Sequence, residues 1–364
     1  MSIEFIGYAT TQESSETILP HGPVVSKNYL ATVARVHENG GFDRVLIAHN
    51  SGSVDGFQVA AYIAAQTERL GVLLAHRPGF MAPTLAARQL ASLDQFSDGR
   101  LAVHIISGGD DTEQQRDGDF LSHDERYARS DEFLDIVKQT WTANAPFDYA
   151  GKYYQVKGQN ARVRPVQNPH IPVYFGGASD IAIEVAGKHA DVYALWGESL
   201  AQVKETIDKV RAAAARYGRA DRIRFSLSLR PILADTEELA WAKADRILQQ
   251  ASINVKQNPL FTRRPQEPVN IGSQRLLATA AQGTVVDQRL WTGIAALTKA
   301  AGNSTGLVGT PQQVADSLLA YYDLGITTFL IRGFEPLADA LQYGRDLLPL
   351  VRRAVAERHV AQAA

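Results

Sequence analysis

The 364-residue chain contains no cysteine, which excludes disulfides, thiolate metal sites and cysteine nucleophiles at once. It also lacks a charge excess. The 37 Lys and Arg against 39 Asp and Glu leave a formal charge of −2, so neither nucleic acid nor an anionic membrane meets an overall basic field. No run approaches the roughly 18 apolar residues of a membrane span, and "MSIEFIGYATTQ" lacks the basic-then-apolar order of a secretory leader. A cytoplasmic location and a small soluble partner are therefore expected. Two catalytic fingerprints are missing as well. "NSGSVDG" places Ser51 and Ser53 after a strand without the GxSxG elbow of serine hydrolases. His49, His76 and His104 stand near strand ends without an HxxxH or HxH spacing, so each reads as a lone pocket or core histidine and no metal site is expected.

What is present is a repeated alternation of strands and helices. Eight β-rich runs occur in order: "EFIGY" (4–8), "RVLIA" (44–48), "GVLLAH" (71–76), "LAVHIIS" (101–107), "PVYFGG" (172–177), "DVYALWG" (191–197), "RFSLSLRPILA" (224–234) and "TTFLIRG" (327–333). They are nearly continuous apolar runs, which suits parallel strands covered on both faces. Between them lie amphipathic segments such as "KNYLATVARVHENGG", where Leu30, Val33 and Val36 recur at spacing three and Gly40 and Gly41 supply a stop. Eight β-then-α units predict an α/β fold, a (β/α)8 TIM barrel in one domain over 1–364. A doubly wound open sheet is disfavoured, because the first strand exits into "GYATTQESSETILPHG" with no GxGxxG. Residues 108–171, after strand 4, and 255–326, after strand 7, are too long for plain connections and read as insertions over the active-site face.

Three features bear on chemistry. In "VYFGGASDIAIEVAG" a buried strand meets Gly176 and Gly177 and then a helix opening near Ser179. Such a turn either binds a phosphate on free amides and the positive helix end or is an ordinary tight turn. The second feature is "HIISGGDDTEQQRDGDFLSHDERY" (104–127), where Ser107 stands at a strand exit before a run of acids. The acids lack the calcium-loop spacing, so a solvated insertion is the expectation over a metal site. The third is Arg230 in "SLSLRPILAD", a charge among apolar residues that must meet either a local carboxylate or an anion at the barrel mouth.

Read in order, several blocks resemble the bacterial luciferase-like flavin monooxygenases, and within them the alkanesulfonate monooxygenase group. They are "VLIAHNSGSVDGF", "RPGFMAPTLAARQLASLDQFSDGRLAVHIISGGD", "DGDFLSHDERYARSDEFL", "VYFGGASDIAIEVAG", "DVYALWGES", "LVGTPQQVADSLLAYYDLGITTFLIRGF" and "LADALQYGRDLLPLV". The resemblance implies a TIM barrel that takes reduced FMN from an NAD(P)H-dependent flavin reductase. With molecular oxygen it would split the C–S bond of an organosulfonate to an aldehyde and sulfite, as a homodimer or homotetramer. Carried onto this chain, it places the flavin ring near Ala75 and Ser107, its phosphate on Tyr127 and on Gly177, Ala178 and Ser179, and Trp196 in the pocket wall.

The departures fall on the substrate side. Where the group carries Arg-Leu-His on strand 7, this chain has Ser228, Leu229 and Arg230, so a group that titrates near neutrality is replaced by a permanent cation. The tyrosine after strand 8 becomes Phe334, the cysteine after strand 2 Ser53, and the histidine after strand 1 Thr11. The substrate set expected here is His49, Trp196, Ser228, Arg230, Arg332 and Phe334. Arg230 is the candidate catalytic group, and Arg263, Arg264 and Arg275 are further cations suited to an oxyanion. A different, non-sulfonate substrate, or a flavin-binding protein without turnover, stays open as an alternative.

Overall fold

The apolar runs all become strands: β1 (Glu4–Ala9), β2 (Arg44–Ile47), β3 (Gly71–His76), β4 (Leu101–Ile105), β5 (Val173–Gly176), β6 (Val192–Trp196), β7 (Arg224–Leu233) and β8 (Ile326–Ile331). This computed structural model describes residues 3–257 and 268–363. The strands stand in the sheet in the order β7-β8-β1-β2-β3-β4-β5-β6, and β6 pairs in turn with β7. That closed order, with helices between successive strands, is the (β/α)8 barrel the sequence pattern predicts. Every residue of β3 is buried, as a parallel strand covered on both faces requires. β4 and β8 end two residues earlier than their apolar runs, at Ile105 and Ile331.

The chain divides into two compact units, residues 1–45, 194–208 and 224–364, and residues 46–193 and 209–223. In the first, β1 pairs with β8 in parallel register, Phe5 opposite Phe329, and the two rings stack with centroids 6.2 Å apart. β7 forks. Its residues up to Leu229 pair with β8, whereas Arg230 to Leu233 pair in parallel with the short strand Gly306–Gly309. Behind the fork, Ile232, Ala244, Ile247, Trp291, Val308 and Phe334 form a buried cluster. The helix Lys27–Asn39 is capped by Ser26, whose Oγ accepts from the Tyr29 amide at 3.3 Å. It buries Leu30, Val33 and His37, leaving Val36 half-buried. A 3.6-residue period brings residue 37, one place beyond the spacing-three expectation, onto the inner stripe.

In the second unit β3, β4 and β5 run parallel, with Ala75 opposite His104 and Val103 opposite Val173. The helices Pro83–Phe96 and His123–Thr142 pack together, and the Trp141 indole donates to the Ala87 carbonyl at 2.8 Å. Neither long connection is structureless. Residues 108–171 carry the helices Asp111–Gln115 and His123–Thr142 and the hairpin Phe147–Ala150 with Gln155–Gln159. Residues 255–326 begin in the last turn of the helix Glu237–Gln257 and include the helices Ile271–Gln282, Gly293–Thr298 and Pro311–Asp323. No described helix is long and apolar enough to cross a membrane.

Candidate functional site

In the second unit the exit of β5 is shaped by Gly177. Its φ of +132° is closed to most side chains, and a Cβ there would stand 2.5 Å from the Tyr127 hydroxyl and 2.7 Å from the Ala182 Cβ. Only glycine lets those two side chains close on the turn. Ser179 caps the following helix Asp180–His189, its Oγ accepting the Ala182 amide at 3.4 Å. The helix's first amides have no intrahelical partner, and they carry the positive end of the helix dipole. Tyr127, on the helix His123–Thr142, is buried at this turn; burial pushes its hydroxyl up to about 12, so it stays protonated near neutrality. The Tyr193 hydroxyl donates to the Gly177 carbonyl and fixes the turn. Tyr127, Gly177, Ala178 and Ser179 thus meet at one strand exit.

Ala75 is the buried penultimate residue of β3, and Ser107 follows β4 with its Oγ 2.8 Å from that of Ser130, which donates to the Arg126 carbonyl. His49 is half-buried after β2 with no partner for Nε2; burial first, then the Arg77 cation, lowers its pKa, so it is neutral at pH 7. Asp110, Asp111 and Asp117 are exposed, as a solvated insertion predicts, while Glu113 and Asp119 turn inward, and four of the acids after Ser107 meet arginines. Asp111 binds Arg126 at 2.7 Å, Glu113 binds Arg77 at 2.7 Å, Asp117 lies 3.5 Å from Arg77, and Asp119 pairs with Arg129. All three arginines are largely buried, and a buried guanidinium without a counter-charge is strongly destabilising. Glu113 also accepts the Ser51 amide at 2.5 Å, tying this segment to the loop after β2. Among the described residues the one group with metal-ligand types close together is Asp131, Asp135 and His189. Lys188 Nζ already reaches both carboxylates, at 2.7 and 2.9 Å.

In the first unit Arg230 lies at the β7 fork with no solvent-exposed surface. Of its two sequence alternatives the local carboxylate is present. Glu16, from the loop after β1, stands 2.8 Å from Nη1, and Nη2 donates to the Gly333 carbonyl at 3.0 Å. The guanidinium covers the Phe334 ring at 3.5 Å from its centroid. Phe334 is itself 1 % exposed and part of the core cluster, its carbonyl held by the Ser15 and Thr17 hydroxyls. Arg230 and Phe334, both expected on the substrate side, are buried here, with the guanidinium stacked on the ring. Arg332 is the more open cation. It shares Glu16 at 3.3 Å and lies over the Tyr8 ring at 4.9 Å. Between opposing influences Glu16 is held at about 2: burial alone would raise its pKa, and Arg230 and Arg332 more than offset that.

Ser228 is buried on β7, two residues before Arg230. Trp196 ends β6 and packs against the helix Ile271–Gln282, where a Cβ on Gly272 would lie 2.9 Å from its ring. Arg275 of that helix is engaged by Glu198 through two bonds, at 2.8 and 2.7 Å, which removes it from the cations free for an oxyanion. Arg263 and Arg264 lie outside the described residues. Thr11 and Ser53 serve turns: the Thr11 hydroxyl donates to the Val24 carbonyl at 2.7 Å, and the Ser53 Oγ accepts the Asn50 amide at 3.0 Å.

Sequence reasoning did not find Glu16, Glu198 or Tyr193. Glu16 sits in a polar stretch, "QESSETILPHG", with no periodicity to mark it, and its partners come from β7 and the exit of β8. Only the isolated charge of Arg230 hinted that such a residue existed.

The model of the luciferase-like monooxygenases matches residues 4–328. The chain belongs to that family. Among solved structures it resembles riboflavin lyase (RcaE), crystallised with modified FMN and riboflavin, at 21 % identity and TM-score 0.80, covering 97 % of this chain and 92 % of that one. DmoA from Hyphomicrobium sulfonivorans matches at 22 % identity and TM-score 0.76, covering 97 % and 89 %. EDTA monooxygenase (EmoA) from Chelativorans sp. BNC1 matches at 20 % identity and TM-score 0.76, covering 97 % and 94 %. At these identities the structural likenesses speak for the fold.

Proposed function

We propose that the chain is the oxygenase of a two-component system, taking reduced FMN from an NAD(P)H-dependent flavin reductase to cleave the C–S bond of an alkanesulfonate or related organosulfur compound. The observation that carries the flavin reading is the cradle around Gly177. There the opening amides of the helix Asp180–His189 that the Ser179 cap does not take, the positive helix end, and the Tyr127 and Ser179 hydroxyls are donors suited to a phosphate monoester. The sulfonate reading rests on the sequence resemblance and on the cationic Arg332 beside Tyr8.

In this scheme the flavin supplies oxygen activation when bound, and the protein's own residues do the rest. Tyr127, Gly177, Ala178 and Ser179 bind the phosphate. Ala75 is small enough to leave room for the ring, and Ser107 offers a hydroxyl kept in place by Ser130. On the substrate side the candidates are neutral His49 in the second unit and the wall residues Trp196 and Ser228 in the first. Arg332 attracts the anionic headgroup. Arg230 acts as a positioning residue, through Glu16. The overall reaction balances as sulfonate, O2 and reduced FMN giving aldehyde, sulfite, water, FMN and one proton.

The test is a panel of alkanesulfonates incubated with the protein, a flavin reductase, NAD(P)H, FMN and oxygen, with sulfite and aldehyde measured together. The proposal expects both products in equal amounts for at least one member, and none without FMN. Flavin-dependent oxygenation of non-sulfur compounds alone would remove the sulfonate assignment while leaving the flavin reading.

A further inference from the structure

Two guanidiniums share one carboxylate in the first unit, so one positive charge has no internal partner. Arg230 and Arg332 both contact Glu16 Oε1, at 2.8 and 3.3 Å. Among the described residues no second carboxylate pairs with either. Asp339 is committed to Lys243 Nζ at 3.0 Å and to the Phe334 and Glu335 amides. His37 is held neutral, lowered to about 4 by burial, and burial pushes the Tyr343 hydroxyl well above its usual value. The Nε atoms of Arg230 and Arg332 are buried and have no acceptor among the described residues. A charged N–H left without an acceptor costs more than a neutral one, so the pair calls for a further ligand.

Space for that ligand exists. Arg230 and Arg332, with Tyr8, Thr10 and Ser14, line a cavity of about 20 Å3, enough for one water-sized group. Arg332, a quarter exposed, keeps the cavity within reach of solvent. Its polar lining includes the two guanidiniums and the Tyr8 and Ser14 hydroxyls, which can donate to an anion, beside apolar Ile331, Pro336 and Ala340.

We propose that this cavity is a monoanion site, taking one small, singly charged acceptor that balances the odd guanidinium. Glu16 is its built-in counter-charge, setting the demand at one negative charge rather than two. Two sources share this chemistry: a free inorganic ion of chloride size, or an oxygen of a substrate's acid headgroup. The second source rests on the sulfonate reading above; the site itself does not.

The test is calorimetric titration of the flavin-free protein with chloride, methanesulfonate and the uncharged dimethyl sulfone, at ionic strength held constant with bulky gluconate. Saturable binding of chloride or methanesulfonate, and none of dimethyl sulfone, is expected. Competition between the two anions assigns the headgroup source, and chloride binding alone assigns the free ion; either supports the site. Arg332→Gln removes the odd charge and is expected to weaken binding at least about tenfold. Because Arg332 is partly exposed, circular dichroism should report a folded variant. Glu16→Gln doubles the unmet charge and is expected to strengthen binding by a similar factor; should it fail to fold, the Arg332→Gln comparison decides alone. No saturable anion binding by the parent protein, or undiminished binding by folded Arg332→Gln, overturns the proposal. Since no flavin is present, a negative titration leaves the flavin reading standing, and a failed turnover assay leaves this one.

Discussion

Arg230 and Glu16 are each too costly to bury alone and acceptable together, and this sets what can be done to either. Replacing Arg230 with Ala leaves the 6 % exposed Glu16 with Arg332 as its one counter-charge and empties the space over the Phe334 ring, so a loss smaller than the ~3–5 kcal/mol of a fully uncompensated buried charge is expected in denaturant unfolding. Titration gives a second prediction. The pKa values of His37, His76 and His104 are lowered by burial from 6.5 to about 4. The unfolded chain therefore binds their protons first, and the stability these groups confer, full above pH 6.5, declines as pH falls toward 4. Glu16, lowered from 4.5 to about 2, contributes stability present above 4.5 and lost toward 2. The denaturation midpoint should drop through both windows. His104→Asn should flatten the upper one by at most about 1.4 kcal/mol per pH unit. At this scale Gly177 and Ser179 were legible, because their chemistry is local to one turn. Arg230 was legible only as half of a pair whose other member comes from a distant loop.

Among the elements, the helix Ile271–Gln282 shows what periodicity does not convey. It was anticipated as part of a long insertion, yet its attachments are specific: Arg275 to Glu198, Thr279 to Gln202 at 2.8 Å, and Ser273 to the Ala300 carbonyl at 2.8 Å. Gly272 would ordinarily gain about 1 kcal/mol from replacement by Ala in a helix. Here the new Cβ would stand 2.9 Å from the Trp196 ring, so Gly272→Ala is expected to lose stability or shift the tryptophan emission; a gain in stability with unchanged fluorescence would refute the packing. Arg275→Ala should leave the barrel strands protected while hydrogen exchange quickens across residues 271–282. The strands were readable because parallel strands buried on both faces announce themselves as apolar runs. The exposed run 108–122 was legible as a solvated insertion, but the partners of its acids, Arg77, Arg126 and Arg129, were not, since they converge only in the folded unit.

For the whole molecule, eight apolar runs separated by amphipathic segments were sufficient to foretell the barrel, and the block order anticipated the family. Substrate identity was not readable, because it depends on side chains drawn from separate loops, where this chain departs from its relatives. For this chain, composition adds one expectation that bears on the proposed oxygen chemistry. With no cysteine and two methionines, Met1 and Met81, it presents few sulfur atoms to stray peroxide. Intact-mass analysis after brief hydrogen peroxide treatment should show at most two added oxygens on sulfur, with the fold retained.

The central claim is that the turn around Gly177 holds the phosphate of reduced FMN. Anaerobic fluorescence titration with reduced FMN and with reduced riboflavin, which lacks the phosphate, tests it most directly. The account predicts FMN binding at least about tenfold tighter than riboflavin, an advantage lost in Gly177→Val, whose side chain would occupy the cradle. Equal affinity for the two flavins, or an FMN preference that survives in folded Gly177→Val, would contradict it.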